Sequence, residues 1–216
     1  MITLAIFVVL VFISLFISLY INISLKKYKS IKNKREITGC ELAHEIIKVD
    51  GKADPYILLT KNRSEYNSLR DSIKLDEDTY DEYSVYALSV SALKTYEAID
   101  SKNKKKYKSR DNLSNIVFYM VILSYILIVA SVLVNMFELG IIAVSLAICV
   151  IIYDLYFINI YKNNLDKIVK LLISNGFIDK DEKENVYKVL SLESINGLSR
   201  LFISIINLLD SLIPNE

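Results

Sequence analysis

Residues 116–160 read IVFYMVILSYILIVASVLVNMFELGIIAVSLAICVIIYDLYFINI and contain only two charged side chains, Glu138 and Asp154. The sequence NMFELG at 135–140 interrupts this stretch near its middle. About 19 and 20 apolar residues remain on its two sides, and at roughly 1.5 Å per residue each run is long enough to cross the ~30 Å hydrocarbon layer. The stretch therefore predicts two transmembrane helices joined by a tight turn.

Residues 2–25 form another apolar run, which contains no charged side chain. A cleaved signal peptide has a basic start and a cleavage site of small residues, whereas this run starts uncharged and continues directly into Lys26 and Lys27. At about 24 residues it is long enough to span the bilayer. We therefore expect it to remain attached as a third transmembrane helix.

Basic residues surround these three helices in blocks. The first block follows residue 25, the second precedes the hairpin and the third follows it; they comprise Lys26, Lys27, Lys29, Lys32, Lys34 and Arg35, then Lys102, Lys104, Lys105, Lys106, Lys108 and Arg110, then Lys162, Lys167 and Lys170. By the positive-inside rule, residues 26–115 lie in the cytoplasm. The N-terminus and the turn that contains Glu138 are then expected outside.

The composition agrees with a membrane protein and excludes several other classes. Hydrophobic residues make up 53% of the 216 residues, and the mean hydropathy is +0.34. A formal net charge of +1 without a basic patch that alternates with aromatics gives no indication of nucleic-acid binding. Cys40 and Cys149 are the only cysteines, one in a polar and one in an apolar stretch, so we expect two free thiols.

The residues between the first helix and the hairpin predict a small α+β insert. A helix is expected from Thr38 to Gly51, and strands are expected at 55–60 and 73–75. The segment 84–99 predicts an amphipathic helix with one apolar stripe, formed by Val85, Leu88, Ala92, Tyr96 and Ile99. The fold class is therefore mainly α: a multi-span helical membrane protein with a small cytoplasmic α+β insert.

The residues after the hairpin predict further helices. Helix continues to Ser174, a break follows at Asn175–Gly176, and a charged helix is expected over 179–190. The apolar stripe of residues 198–213 indicates a helix at the membrane surface or against the bundle, because Arg200 and Asp210 would be costly in lipid. The chain thus divides into a transmembrane helix (1–25), the insert (26–115), the hairpin (116–160) and C-terminal helices (161–216).

The sequence KYKSIKNKREITG at 27–39, directly after an N-terminal span, resembles the start of the YugP-like neutral zinc metallopeptidases of bacterial membranes. Members of this family continue with a short helix, a β element, a helix with the motif HExxH, a basic approach to a transmembrane pair and a later helix with a third, acidic ligand. The same order is present here, and the resemblance covers nearly the whole chain. Residues 73–75 followed by 84–88, and Asn112, fall in the family's register. The resemblance implies a location in the bacterial cell membrane.

At the metal motif this chain departs from the family. Residues 92–99 read ALKTYEAI where the family reads AHExxHAI. In this register Leu93 and Glu97 hold the two ligand positions, Lys94 holds the position of the general base, and the third ligand falls near Tyr161. HExxH requires two imidazoles that converge on Zn²⁺ from one helix face and a Glu that takes a proton from the bound water.

None of the four replacements supports that chemistry. Leucine has no donor atom, and a lysine cation repels Zn²⁺ and is not a base at its ordinary pKa. The resemblance therefore implies no catalytic residue, no metal and no cofactor, with Leu93, Lys94, Glu97 and Tyr161 as a degenerate site. Lys94 and Glu97 are close enough on one helix to pair, and Tyr161 is placed to hydrogen-bond Glu97 if the family's helix crossing is kept.

Other candidate sites have simpler interpretations. His44–Glu45 begins like HExxH, but Lys48 stands in the fifth position and the chain has no second histidine, so a surface or packing role is expected. Asp154 lacks the second aspartate of an intramembrane aspartyl protease and is expected either to extend its carboxylate to the membrane surface or to pair with a lysine. The acidic residues Asp76, Glu77, Asp78, Asp81 and Glu82 have the oxygen ligands that a hard cation takes, but a solvated loop that faces the nearby lysines is the expected arrangement.

Three functions are compatible with these observations. The first is an inactive relative of the membrane zinc peptidases that binds or scaffolds, with the lipid bilayer and another membrane protein as its partners. The block Lys102–Arg110 would contact anionic headgroups, at roughly 1 kcal/mol per basic residue, as well as set topology. The second is an active hydrolase with unorthodox ligands such as Glu97 and the acidic loop. The third is a membrane protein of unrelated role.

The topology is tested by cysteine accessibility in a variant without the native cysteines. A cysteine placed at Glu138 is expected to react with an impermeant thiol reagent added outside the cell, and one placed at Lys104 only after the membrane is opened, because the basic blocks hold residues 26–115 inside. Labelling of the cysteine at 138 from the cytoplasmic side alone would contradict this topology.

Overall fold

The structure is a computed structural model and describes residues 2–204 and 206. Seven α-helices and three strands are assigned over this part of the chain. In chain order they are α1 (Ile2–Lys29), α2 (Gly39–Asp50), β1 (Tyr56–Thr60), β2 (Glu65–Asn67), β3 (Ser72–Asp76), α3 (Glu77–Tyr80), α4 (Val85–Ile99), α5 (Lys104–Leu133), α6 (Phe137–Ser174) and α7 (Lys183–Ile195), followed by a 3₁₀ turn at Asn196–Ser199. The fold is mainly helical, as the sequence predicts.

Among the described residues, three helices are long and apolar enough to cross a membrane, namely α1, α5 and α6. This confirms that the three expected spans are helices of sufficient length and apolar composition. The hairpin helices are longer than the apolar runs themselves, because α5 already begins at Lys104 and α6 continues without a break to Ser174. No Gly or Pro interrupts either segment, apart from Gly140 in the first turn of α6.

The chain divides into two compact units, and the described part of the first comprises residues 2–22, 113–160, 195–204 and 206. Its described core is apolar and is formed by Phe7, Val117, Val121, Ile128, Ala143, Ala147, Val150 and Leu201. The Phe7 and Tyr125 rings meet edge to face, with 5.2 Å between centroids. Gly140 permits close approach of Thr3, since a Cβ at residue 140 would lie 2.4 Å from the Thr3 hydroxyl.

The second unit contains Ile23–Asn112 and Tyr161–Ser194 and holds the predicted insert. Its helix α2 has a complete capping box, with Thr38 and Glu41 each accepting from the other's backbone N–H, and it ends at Gly51 in the left-handed conformation. The three strands form one sheet in the order β1-β3-β2, in which β1 is parallel and β2 antiparallel to β3. The predicted helix 38–51 and both predicted strands are confirmed.

Helix α4 differs from its prediction as an amphipathic helix. Every residue from Val85 to Leu93 is buried, whereas Tyr96 and Ile99 of the expected stripe are only half-buried. The physical reason is the run of small side chains, which lets neighbouring backbone approach on a second face: Ser91 Oγ donates to the Gly39 carbonyl oxygen at 2.5 Å. The apolar stripe alone therefore underestimates how much of α4 is enclosed.

The residues after α6 also require a correction. Gly176, at φ +67°, follows the end of α6 as predicted, but α7 begins at Lys183 and not at Asp179. Residues 179–182 form a turn in which the Asp179 N–H donates to Glu182 Oε2 at 3.1 Å. The predicted stripe at 198–213 is described only for residues 198–204 and 206, and the rest lies outside the described residues.

The packing of α2 predicts that one methyl group added at Gly39 lowers the stability of the protein. A Cβ at Gly39 would lie 2.0 Å from the Thr79 carbonyl oxygen. Gly39→Ala is therefore expected to lower stability by about 1–3 kcal/mol, measured as a lower thermal midpoint of the purified protein. Glu45→Ala, at an exposed position of the same helix, is the control and should leave the midpoint unchanged. Equal midpoints for the two variants would show that this contact is not tight.

Candidate functional site

Helix α4 places Lys94 and Glu97 one turn apart inside the second unit. The Lys94 ammonium donates to Glu97 Oε1 at 3.1 Å. The Glu97 side chain is 1% exposed and the Lys94 side chain 14%. A carboxylate buried this deeply requires charged partners, because removal from water costs several kcal/mol per ion.

The second partner of Glu97 is Arg110, in the second turn of α5. Arg110 Nη1 donates to Glu97 Oε2 and to the Tyr161 hydroxyl oxygen, both at 2.5 Å. Its other nitrogens are also engaged, since Nη2 donates to the Tyr66 carbonyl oxygen at 2.7 Å and Nε to Asp111 Oδ1 at 2.8 Å. The planar guanidinium thus joins helices α4, α5 and α6 to strand β2, a geometry that suits arginine and not lysine.

A neighbouring polar cluster holds these helices in place. Asp100, at the end of α4, accepts at one oxygen from the Asn103 and Asn164 amides and the Tyr107 hydroxyl, at 2.7, 3.1 and 3.2 Å. Asp100, Tyr107 and Asn164 are all buried. Because α4, α5 and α6 each contribute a member, the cluster fixes the positions from which Glu97, Arg110 and Tyr161 meet.

The electrostatics favour the charged form of Lys94. Burial alone lowers the pKa of Lys94, but the adjacent Glu97 carboxylate and other nearby groups outweigh it, so the pKa is raised from its ordinary value. Lys94 therefore remains a cation at neutral pH and cannot act as a general base. Its ammonium also lies 5.8 Å from the centroid of the Tyr161 ring.

The structure brings together three of the four predicted site residues, Lys94, Glu97 and Tyr161. The expected Lys94–Glu97 pair is present. Tyr161 differs from its expected contact, because its hydroxyl accepts from Arg110. Leu93 is buried at 2% exposure on the same helix and offers apolar bulk only.

Arg110 has a different role from the one that the sequence pattern predicts. The pattern groups it with Lys102, Lys104, Lys105, Lys106 and Lys108 as a contact for lipid, and these five lysines are indeed exposed. Arg110 instead has a side chain only 14% exposed and points into the site. One signal in the sequence marks it out: it is the single arginine in a block of lysines and is followed by Asp111.

The remaining candidates lie apart from this site. His44 is exposed, with Nδ1 2.9 Å from the Cys40 carbonyl oxygen. Asp154, in the first unit, pairs with Arg200 Nη2 at 2.9 Å and not with a lysine. The expected acidic loop is largely regular structure, since Asp76 ends β3 and Asp78 lies in α3, where it pairs with Lys29 at 2.5 Å. Within residues 2–204 and 206, no group of three His, Cys, Asp or Glu side chains is placed to hold a metal.

The residues present do not fit a zinc ion. Of the three ligand positions, Leu93 has no donor atom, and both Glu97 oxygens accept from cations. The Tyr161 oxygen accepts from one of the same cations. Two positive charges thus lie within hydrogen-bonding distance of Glu97, where Zn²⁺ would require neutral or anionic donors.

Comparison with known proteins agrees with the family resemblance of the sequence. The family model described as "Putative neutral zinc metallopeptidase" matches residues 3–215. The chain belongs to this family. It is similar to the "Putative membrane protease YugP" of Bacillus subtilis (strain 168), with 24% identity over 194 residues that cover 86% of this chain and 84% of the relative. No solved structure matches. This relationship and the three apolar helices support a membrane location.

The side chains at the family's ligand positions predict how much zinc the purified protein contains. Purified protein is expected to contain no stoichiometric zinc by elemental analysis. Replacing Leu93→His, Lys94→Glu, Glu97→His and Tyr161→Glu together should create zinc affinity only when Arg110→Gln is added, because the guanidinium otherwise remains beside the metal. The four replacements without Arg110→Gln are the matched control.

Two results would contradict this assignment. The first is about one tightly bound zinc per chain in the unaltered protein, lost on Glu97→Gln. The second is equal zinc affinity with and without Arg110→Gln.

Proposed function

We propose that this chain is a catalytically inactive member of its family that acts as a binding or scaffolding protein of the membrane. The observation that carries the proposal is that both oxygens of the buried Glu97 carboxylate accept from cations, Lys94 and Arg110. A metal dication brought to this carboxylate would be repelled by the two positive charges that already contact it.

The proposal explains how the fold persists without the family's metal. A structural or catalytic zinc adds a dication that its ligands surround, and loss of that charge leaves buried ligands unpaired. Here Lys94 and Arg110 supply two positive charges in the same region. In this chain an ion-pair network that joins helices stands where the family has a catalytic metal.

The partners follow from the exposed surface of the second unit. Five exposed lysines, Lys102, Lys104, Lys105, Lys106 and Lys108, lie at or just before the start of α5. We place residues 26–115 in the cytoplasm, with the N-terminus outside, so that these lysines face the anionic cytoplasmic leaflet. Another membrane protein is the second class of partner.

The alternative is an active membrane zinc-dependent peptidase with unorthodox ligands. Glu97 and the acidic loop would have to supply those ligands. The engagement of Glu97 by two cations and the pairing of Asp78 with Lys29 speak against it. It predicts that function requires the Glu97 carboxylate.

The two functions are separated by genetic rescue in a strain of the source bacterium that lacks this protein. Glu97→Gln alone leaves the buried Lys94 ammonium without its carboxylate and risks unfolding, so the decisive variant is Lys94→Met with Glu97→Gln. It removes one charge of each sign and leaves Arg110 paired with Asp111. We expect this variant to rescue as well as the unaltered protein, because no chemistry is lost.

The control is Lys94→Met alone, which retains the Glu97–Arg110 pair and should also rescue. Membrane fractionation establishes that each variant is inserted at the normal level. Loss of rescue by a normally inserted Lys94→Met, Glu97→Gln protein, with rescue by Lys94→Met, would show that Glu97 performs chemistry and would overturn the proposal.

A further inference from the structure

The rest of the second unit covers one edge of the three-stranded sheet and leaves the other edge uncovered. The outer side of β2 is covered, because the Tyr66 carbonyl accepts from Arg110 and the N–H of Ser68, just after the strand, donates to Asp111 Oδ2 at 2.6 Å. The outer side of β1 has no such cover among the described residues. An uncovered edge is a site where another strand can pair.

The unpaired backbone groups of β1 can be identified. The Tyr56 N–H donates to the Asp71 carbonyl, which lies just before β3, so Tyr56 directs its backbone toward β3. Backbone groups of successive strand residues point to opposite sides of a strand. Those of Ile57 and Leu59 therefore point away from the sheet, and no described residue hydrogen-bonds to them.

The side chains of β1 are unlike those of a protected edge. Edge strands of soluble domains are usually blocked by charges, proline or a bulge. The strand reads YILLT and contains none of these. Tyr56, Leu58 and Leu59 are 73%, 47% and 54% exposed, which leaves an apolar edge about five residues long uncovered.

We propose that β1 pairs with β1 of a second copy of this chain, as an antiparallel pair centred on Leu58. In this register Ile57 faces Leu59 of the other copy, so the outward N–H and C=O groups of both residues hydrogen-bond. Leu58 faces Leu58, and Tyr56 faces Thr60. The outward backbone groups of Ile57 and Leu59 are all satisfied, and the facing side chains are apolar or, at Thr60, uncharged.

The charges at the ends of the strand agree with self-pairing. Asp54 and Lys61 are both exposed, lie on opposite ends of β1, and have no ion-pair partner in the described part of the chain. Antiparallel pairing about Leu58 places Lys61 of one copy opposite Pro55 of the other and therefore next to Asp54. Two complementary contacts result, one at each end, whereas a parallel pair would set like charges together.

This pairing is independent of whether the chain has lost its zinc site. It would join two three-stranded sheets into one of six strands. A partner of the second unit would therefore meet two copies of that unit.

The test is disulfide cross-linking of the full-length protein in membranes, in a background of Cys40→Ser and Cys149→Ser. Leu58 faces its own counterpart in a non-hydrogen-bonded pair with Cα atoms about 4.5 Å apart, inside the range for a disulfide. Mild oxidation of Leu58→Cys is expected to convert most of the protein into a species of twice the mass. Leu69→Cys, at an equally exposed leucine outside the strands, is the matched control and should remain monomeric.

A second arm tests the register. Tyr56→Cys and Thr60→Cys should each remain monomeric alone, since each residue is about four positions from its own counterpart, roughly 13 Å along the strand. Two differently tagged chains, one with each substitution, should cross-link when expressed together.

Three results would overturn the proposal. They are absence of a Leu58→Cys dimer, equal cross-linking of Leu58→Cys and Leu69→Cys, and failure of the mixed Tyr56→Cys and Thr60→Cys pair. A cross-link from position 58 to a chain of another mass would assign this edge to a different polypeptide and would also overturn it.

Discussion

Much of the second unit depends on one constraint: the Glu97 carboxylate is buried inside a helix packed on nearly every side, and a buried carboxylate must be paired or protonated. Lys94 supplies a partner from the same helix, one turn away. Arg110 supplies the other from α5 and at the same time reaches Tyr161 and the edge of β2. Four elements of the unit are therefore held to one another through a single charged group.

The arginine also connects two features that would otherwise be unrelated. The guanidinium that occupies an oxygen of Glu97 is the one that covers the Tyr66 carbonyl on the outer side of β2. Under the proposed function, replacement of the metal and closure of one sheet edge are consequences of the same side chain. The other edge, β1, remains open and becomes the surface on which an interaction can be built.

The parts of the fold that depend on local signals could be predicted from the sequence. The capping residues Thr38 and Glu41, the terminator Gly51 and the apolar runs of α1, α5 and α6 each act within a few residues of where they stand. The Lys94–Glu97 pair was predictable for the same reason, since it spans one helical turn. The role of Arg110 was not predictable in this way, because it depends on contacts to Glu97, Tyr161 and Tyr66 that are distant in sequence. The enclosure of α4 on a second face likewise depends on the approach of Gly39, which no periodicity in α4 reveals.

The central claim, that Glu97 is held by cations in place of a metal, is tested most directly by a double-mutant cycle on Glu97 and Arg110. The free energy of unfolding of the purified protein would be measured for Glu97→Gln, Arg110→Met and the two together. Each single variant should lose up to about 3–5 kcal/mol, because Glu97→Gln leaves Lys94 without a carboxylate and Arg110→Met leaves Glu97 with one cation in place of two. The double variant should lose less than the sum. Losses that add, in a protein whose stability also falls when zinc is chelated, would contradict the claim.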